Sequence, residues 1–71
     1  MAFERKQVMN IVIQIQMQSE KGTPIRNWQD ISSLRNGTLQ MIANEMQLAA
    51  KRYPTARVRA VDASGRIVDM L

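Results

Sequence analysis

The chain has no cysteine and no histidine, only three aromatic residues (Phe3, Trp28 and Tyr53), and no apolar run longer than three residues, as at Ile11 to Ile13. Each absence excludes something. Without cysteine there is no disulfide frame, the usual support of a small secreted domain, which points to a reducing, cytoplasmic compartment. Without histidine or cysteine the usual transition-metal ligands, thiol nucleophiles and commonest general bases are missing, so no metal site and no metalloenzyme is expected. Apolar runs this short fall far below the roughly 20 residues that span a bilayer, and the N-terminus has no apolar signal core. A soluble protein with no membrane partner is expected.

The carboxylates Glu4, Glu20, Asp30, Glu45, Asp62 and Asp69 are dispersed, with no pair at a spacing that suggests glycoside hydrolysis or calcium binding. Asn36-Gly37-Thr38 lacks the glycine spacing and the following lysine of a phosphate-binding loop. Ser32, Ser33 and Ser64 have no base nearby in sequence. The reading is therefore a protein that is not an enzyme, takes no cofactor and shows no small-molecule substrate.

At 71 residues the chain makes one domain, residues 1–71. A domain of this size buries only about 60% of the surface its unfolded chain exposes. Lacking disulfides, it gains from association, and a homodimer is expected. Ten Lys and Arg against six Asp and Glu give a formal charge of +4, which favours acidic partners. The basic residues are scattered, as a merely solubilising surface also requires.

What is present is periodicity. From Met9 to Gln18 the side chains alternate: Met9, Ile11, Ile13, Ile15 and Met17 point one way, and Asn10, Gln14, Gln16 and Gln18 the other, with Val12 as the exception. That is the period of a half-buried strand. Ser19 to Pro24 collects polar, Gly and Pro residues, so the chain turns there. Ile25 to Ile31 is a weaker alternating segment, predicted as a second strand, with Trp28 expected first as a cover over the core edge and second as an anchor for a partner. After a turn at Arg35-Asn36-Gly37 the period becomes helical. Leu39, Ile42, Ala43, Met46, Ala49, Ala50 and Tyr53 form one apolar stripe. Thr38 or Asn36 can cap this helix, Lys51 and Arg52 complement its C-terminal end, and Pro54 stops it. Ala56 to Leu71 reads as a hairpin closed by Asp62-Ala63-Ser64-Gly65, with Gly65 left-handed. The predicted register places Ala60 opposite Val68, Val58 opposite Met70 and Arg59 opposite Asp69.

The fold class is thus α+β, a ββαββ chain whose antiparallel four-stranded sheet carries one amphipathic helix on one face. A rival pattern exists, because Val8, Ile11, Val12 and Ile15 also suit a helix. With Thr23 to Leu34 as a second helix, the chain would be a winged helix-turn-helix.

Several of these features occur together over residues 9–71. They are the first strand, Trp28 followed by Asp30, the helix ending in Arg52-Tyr53-Pro54, and the closing Ala56-Arg57-Val58-Arg59-Ala60-Val61-Asp62 with Gly65-Arg66-Ile67-Val68. In this order the chain resembles small phage or prophage proteins of uncharacterised function. The resemblance implies no active site.

Two surfaces suit binding. One is the sheet face away from the helix, where Val12, Gln14, Gln16, Arg57, Arg59, Val61 and Ile67, with Leu71, mix basic and apolar character. It would serve a protein partner or a second copy, modulating a host or phage protein such as a nucleic-acid-handling machine. The other is the helix stripe Gln40, Asn44, Gln47 and Lys51, which suits DNA in the winged arrangement. Nucleic acid is the second choice of partner. A third reading is a virion or assembly component that self-associates through sheet edges.

Overall fold

The computed structural model describes residues 9–71. It contains β1 (Met9–Gln16), β2 (Gln29–Gly37), α1 (Leu39–Arg52), β3 (Arg57–Asp62) and β4 (Ile67–Met70). The strands form one four-stranded sheet in the order β2-β1-β3-β4, with every neighbouring pair antiparallel. The ββαββ architecture is therefore present, and the winged helix-turn-helix is not: Met9–Gln16 is a strand, and Thr23 to Leu34 contains no helix. The choice follows from the side chains. A β-branched run alternating with glutamine keeps three isoleucines on one face only in an extended chain.

The alternation of β1 supplies the centre of the core. Ile11, Ile13 and Ile15 are buried and pack with Val58 and Ala60 of β3 and with Ile42, Met46 and Ala49 of α1. Met9 and Met17, the flanking members of the same alternation, pack against that cluster. The helix begins where Thr38 accepts a hydrogen bond from the Met41 amide at 3.2 Å, so Thr38 rather than Asn36 is the cap. Its buried seam is narrower than the predicted stripe. Leu39 is 60% exposed and Ala43 is exposed, because the face that meets the sheet runs through Ile42, Met46 and Ala49 with Ala50 and Tyr53 beside it.

The second strand is not Ile25 to Ile31 but Gln29–Gly37, so Arg35-Asn36-Gly37, expected as a turn, is the irregular end of β2, and Ile25 lies exposed in the connection. That connection is pinned by Gln18 bridging Pro24, by the Ser19 amide on the Thr23 carbonyl, and by Gly22 at φ 80°. β2 carries little apolar signal because it is an edge strand with few buried positions. Ile31 and Leu34 pack on the core, while register shifts occur opposite Met9/Ile11 and Ile13/Gln14. Asn36, with φ 51°, lies in the first of these irregular stretches, and its amide is received by the Asn10 side chain at 3.2 Å.

The closing hairpin has the predicted turn but not the predicted pairing. Gly65 adopts φ 85°, its amide donates to the Asp62 carbonyl, and the Asp62 amide donates to the Arg66 carbonyl. A bulge then intervenes, so Val61 pairs with Ile67, Ala60 with Asp69 and Arg59 with Met70. The extra residue is Val68, which turns onto the core. Arg59 therefore does not face Asp69.

Candidate functional site on the open sheet face

Register decides which side chains share the face away from the helix. Ile13 opposes Ala60 and Ile15 opposes Val58 on the core side, so Val12 with Val61, Gln14 with Arg59 and Gln16 with Arg57 stand together on the other. Val61 brings Ile67 across from β4, and Gln14 brings Asp30 across from β2. The predicted set Val12, Gln14, Gln16, Arg57, Arg59, Val61 and Ile67 therefore occupies one continuous surface. Leu71 does not join it. The bulge puts Met70 beside Arg59, while the Leu71 amide reaches the Val58 carbonyl one position further along.

The surface has two parts. One is aliphatic: Val12, Val61 and Ile67 lie side by side across β1, β3 and β4, with Ile67 53% exposed. Val61 is 7% exposed yet lies outside the main core cluster. The other part is polar and held by a chain of contacts across three strands. Arg59 Nε donates to Gln14 Oε1 at 2.8 Å, and Gln14 Nε2 donates to Asp30 Oδ1 at 2.8 Å. A neutral carboxamide thus links a cation and an anion that do not bond each other directly.

Trp28, just before β2, completes the polar part. Its ring lies 4.0 Å from the Arg59 guanidinium carbon and 5.6 Å from that of Arg57. It is half-buried and is not packed against the core cluster, which corrects its expected place as core cover. An indole face attracts guanidinium groups through its ring quadrupole. Arg57 is further steadied by donating from Nη2 to the Met70 sulfur at 3.3 Å. Beside this cluster the surface dips into a shallow concavity lined by Gln16, Pro24, Ile25, Arg26 and Asn27, which adds a third arginine to the same end.

Asp30 and Met70 belong to this site and were not read from the sequence. Trp28 and Asp30 share a period-two side, but the pairing of Asp30 with Gln14 depends on a register that begins at Gln29. The helix stripe Gln40, Asn44, Gln47 and Lys51 is exposed, as expected. Gln40 there donates to Asn44 at 3.1 Å, and among the described residues no helix precedes it to make it a recognition helix.

No protein-family model, no curated protein and no solved structure matches the chain. Among the described residues no group of three or more acidic side chains is arranged to hold a metal ion, and no helix is long and apolar enough to cross a membrane.

Proposed function

We propose that this chain is a small, non-enzymatic binding protein of the phage or prophage kind its sequence resembles, and that it modulates a host or phage protein by docking the open sheet face on it. The observation that carries this reading is the Arg57–Arg59–Trp28 cluster beside the Val12–Val61–Ile67 strip. Two guanidinium groups ordered on an indole lose little further freedom on binding a carboxylate, and the adjacent Ile67, 53% exposed, with the half-buried Val12 adds apolar area to bury. An acidic surface on a protein that handles nucleic acid offers this complementarity to a basic, partly apolar face.

A second copy is a poorer occupant of this face. Stacking two such faces would bring arginine pairs together, and Asp30, the carboxylate that the register places here, is already bonded to Gln14. Aliphatic side chains also lack the ring faces on which unpaired bases stack, which favours protein over nucleic acid.

The test is capture from bacterial lysate with the wild type and with Arg57→Glu/Arg59→Glu. Loss of the captured protein in the double variant is expected. Retention of every captured protein would remove the open face from the mechanism.

A further inference from the structure

The open face constrains the conformation of whatever covers it. β1 and β3, which carry most of its residues, are the interior strands of the order β2-β1-β3-β4, so their amides and carbonyls are committed to neighbours on both sides. A segment lying on that face finds side chains but no backbone partners. It must satisfy its own amides and carbonyls internally, because burying them unpaired is costly. An extended peptide fails this condition away from the sheet edges, and a helix meets it.

The geometry points to an amphipathic acidic helix of a partner protein as the occupant, converting this two-layer domain into a helix-sheet-helix sandwich. This rests on the functional reading above and specifies its partner. Arg57, Arg59 and Val61 alternate along β3 on one face. Residues two apart in a strand are about 6.7 Å apart, and residues four apart in a helix rise about 6 Å. Carboxylates at i and i+4 therefore reach the two guanidinium groups in sequence. Aliphatic residues at i+7, i+8 and i+11 then fall over Val12, Val61 and Ile67. That strip crosses three neighbouring strands, about 9.6 Å from first to last, close to the diameter of a helix. Arg59 is the principal contact, because Gln14 holds its Nε and Trp28 its face while its terminal nitrogens stay available. Gln14 acts as a positioning residue.

Trp28 is the only tryptophan of the chain and reports directly on the site. The probe is a synthetic, tryptophan-free peptide with Glu at i and i+4 and Leu at i+7, i+8 and i+11. The control has the same composition with Glu and Leu at alternate positions. The helical-period peptide should shift Trp28 emission, gain helical circular dichroism on binding, and bind less tightly as salt rises. Arg59→Gln should weaken it at least tenfold, and Gln14→Leu several-fold, with the far-ultraviolet spectrum of each variant unchanged. Equal or better binding by the alternating peptide, still lost in Arg59→Gln, would overturn the helix while leaving the open face in place. So would failure of both peptides if lysate capture still depends on the arginines. Arginine-dependent binding of a single-stranded oligonucleotide, with neither peptide bound, would overturn both the helix and the protein partner.

Discussion

Arg59 lies over the ring of Trp28 at 4.0 Å, joining the centre of β3 to the residue that precedes β2 across the whole width of β1. This contact ties together strands that are not hydrogen-bonded neighbours, on the face opposite α1. It therefore couples stability to the candidate binding surface. A double-mutant cycle of Arg59→Gln and Trp28→Leu in urea denaturation should show a coupling of about 0.5–1 kcal/mol, as for cation–π pairs that remain partly solvated. Additive effects within about 0.3 kcal/mol would mean that the contact does not hold the face together.

The core has little to spare. Ile13 is fully buried between Ala60 and Ser32 under the helix, and Ile13→Ala should cost about 2–5 kcal/mol. A chain of 71 residues has only about 4–11 kcal/mol in total, so this variant should lose a large share of its stability and melt well below the wild type. Ile13→Val should cost about 0.5–1.5 kcal/mol and stay folded. Thermal melts of the pair distinguish a cavity effect from a general intolerance at this position.

The helix start depends on one hydroxyl. Thr38→Ala removes the acceptor for the Met41 amide and should destabilise by about 1 kcal/mol, whereas Thr38→Ser should be near neutral. The exchange of amides near Met41 would report the loss locally.

The β3–β4 turn titrates. The Ser64 hydroxyl, followed by the Arg66 and Ser64 amides, donates to the Asp62 carboxylate and holds its pKa below the ordinary 3.8. A carboxylate whose pKa is lower in the folded state stabilises fully above its unfolded value, and that contribution disappears as pH falls through the folded value. The stability gap between wild type and Asp62→Ala should thus be constant above about pH 5 and close below the unfolded pKa. A gap that persists unchanged at pH 2 would assign the effect to backbone geometry instead of charge.

Gly65 sits at φ 85° in the same turn, with open space where a Cβ would go. Gly65→Ala should therefore cost about 1–2 kcal/mol through backbone conformation alone. Gly65→Asn should cost less, since asparagine tolerates the left-handed region.

Period and turn chemistry were enough to place β1, α1 and the Asp62–Gly65 turn and to narrow the helix cap to Thr38 or Asn36, because each depends on residues close together in the chain. Ile11, Ile13 and Ile15 announce a buried face wherever the strand is placed, and Leu39 to Tyr53 announces a helix. The sequence also indicated that Arg57, Arg59 and Val61 share one side, since alternate residues of a strand must. The tertiary structure decided what those residues meet. β2 begins at Gln29 because an edge strand takes its register from the isoleucines of β1, and Ile31 and Leu34 must reach them past two irregular steps. The Val68 bulge moved Asp69 away from Arg59 and brought Met70 to it, a change of one residue that reverses sides along a strand. Gln14 between Arg59 and Asp30, and Trp28 beneath the arginines, arise from pairings 16 to 45 positions apart. Local pattern fixes which side of a strand a residue takes. Only the packing of strands that meet across a core fixes its neighbours there.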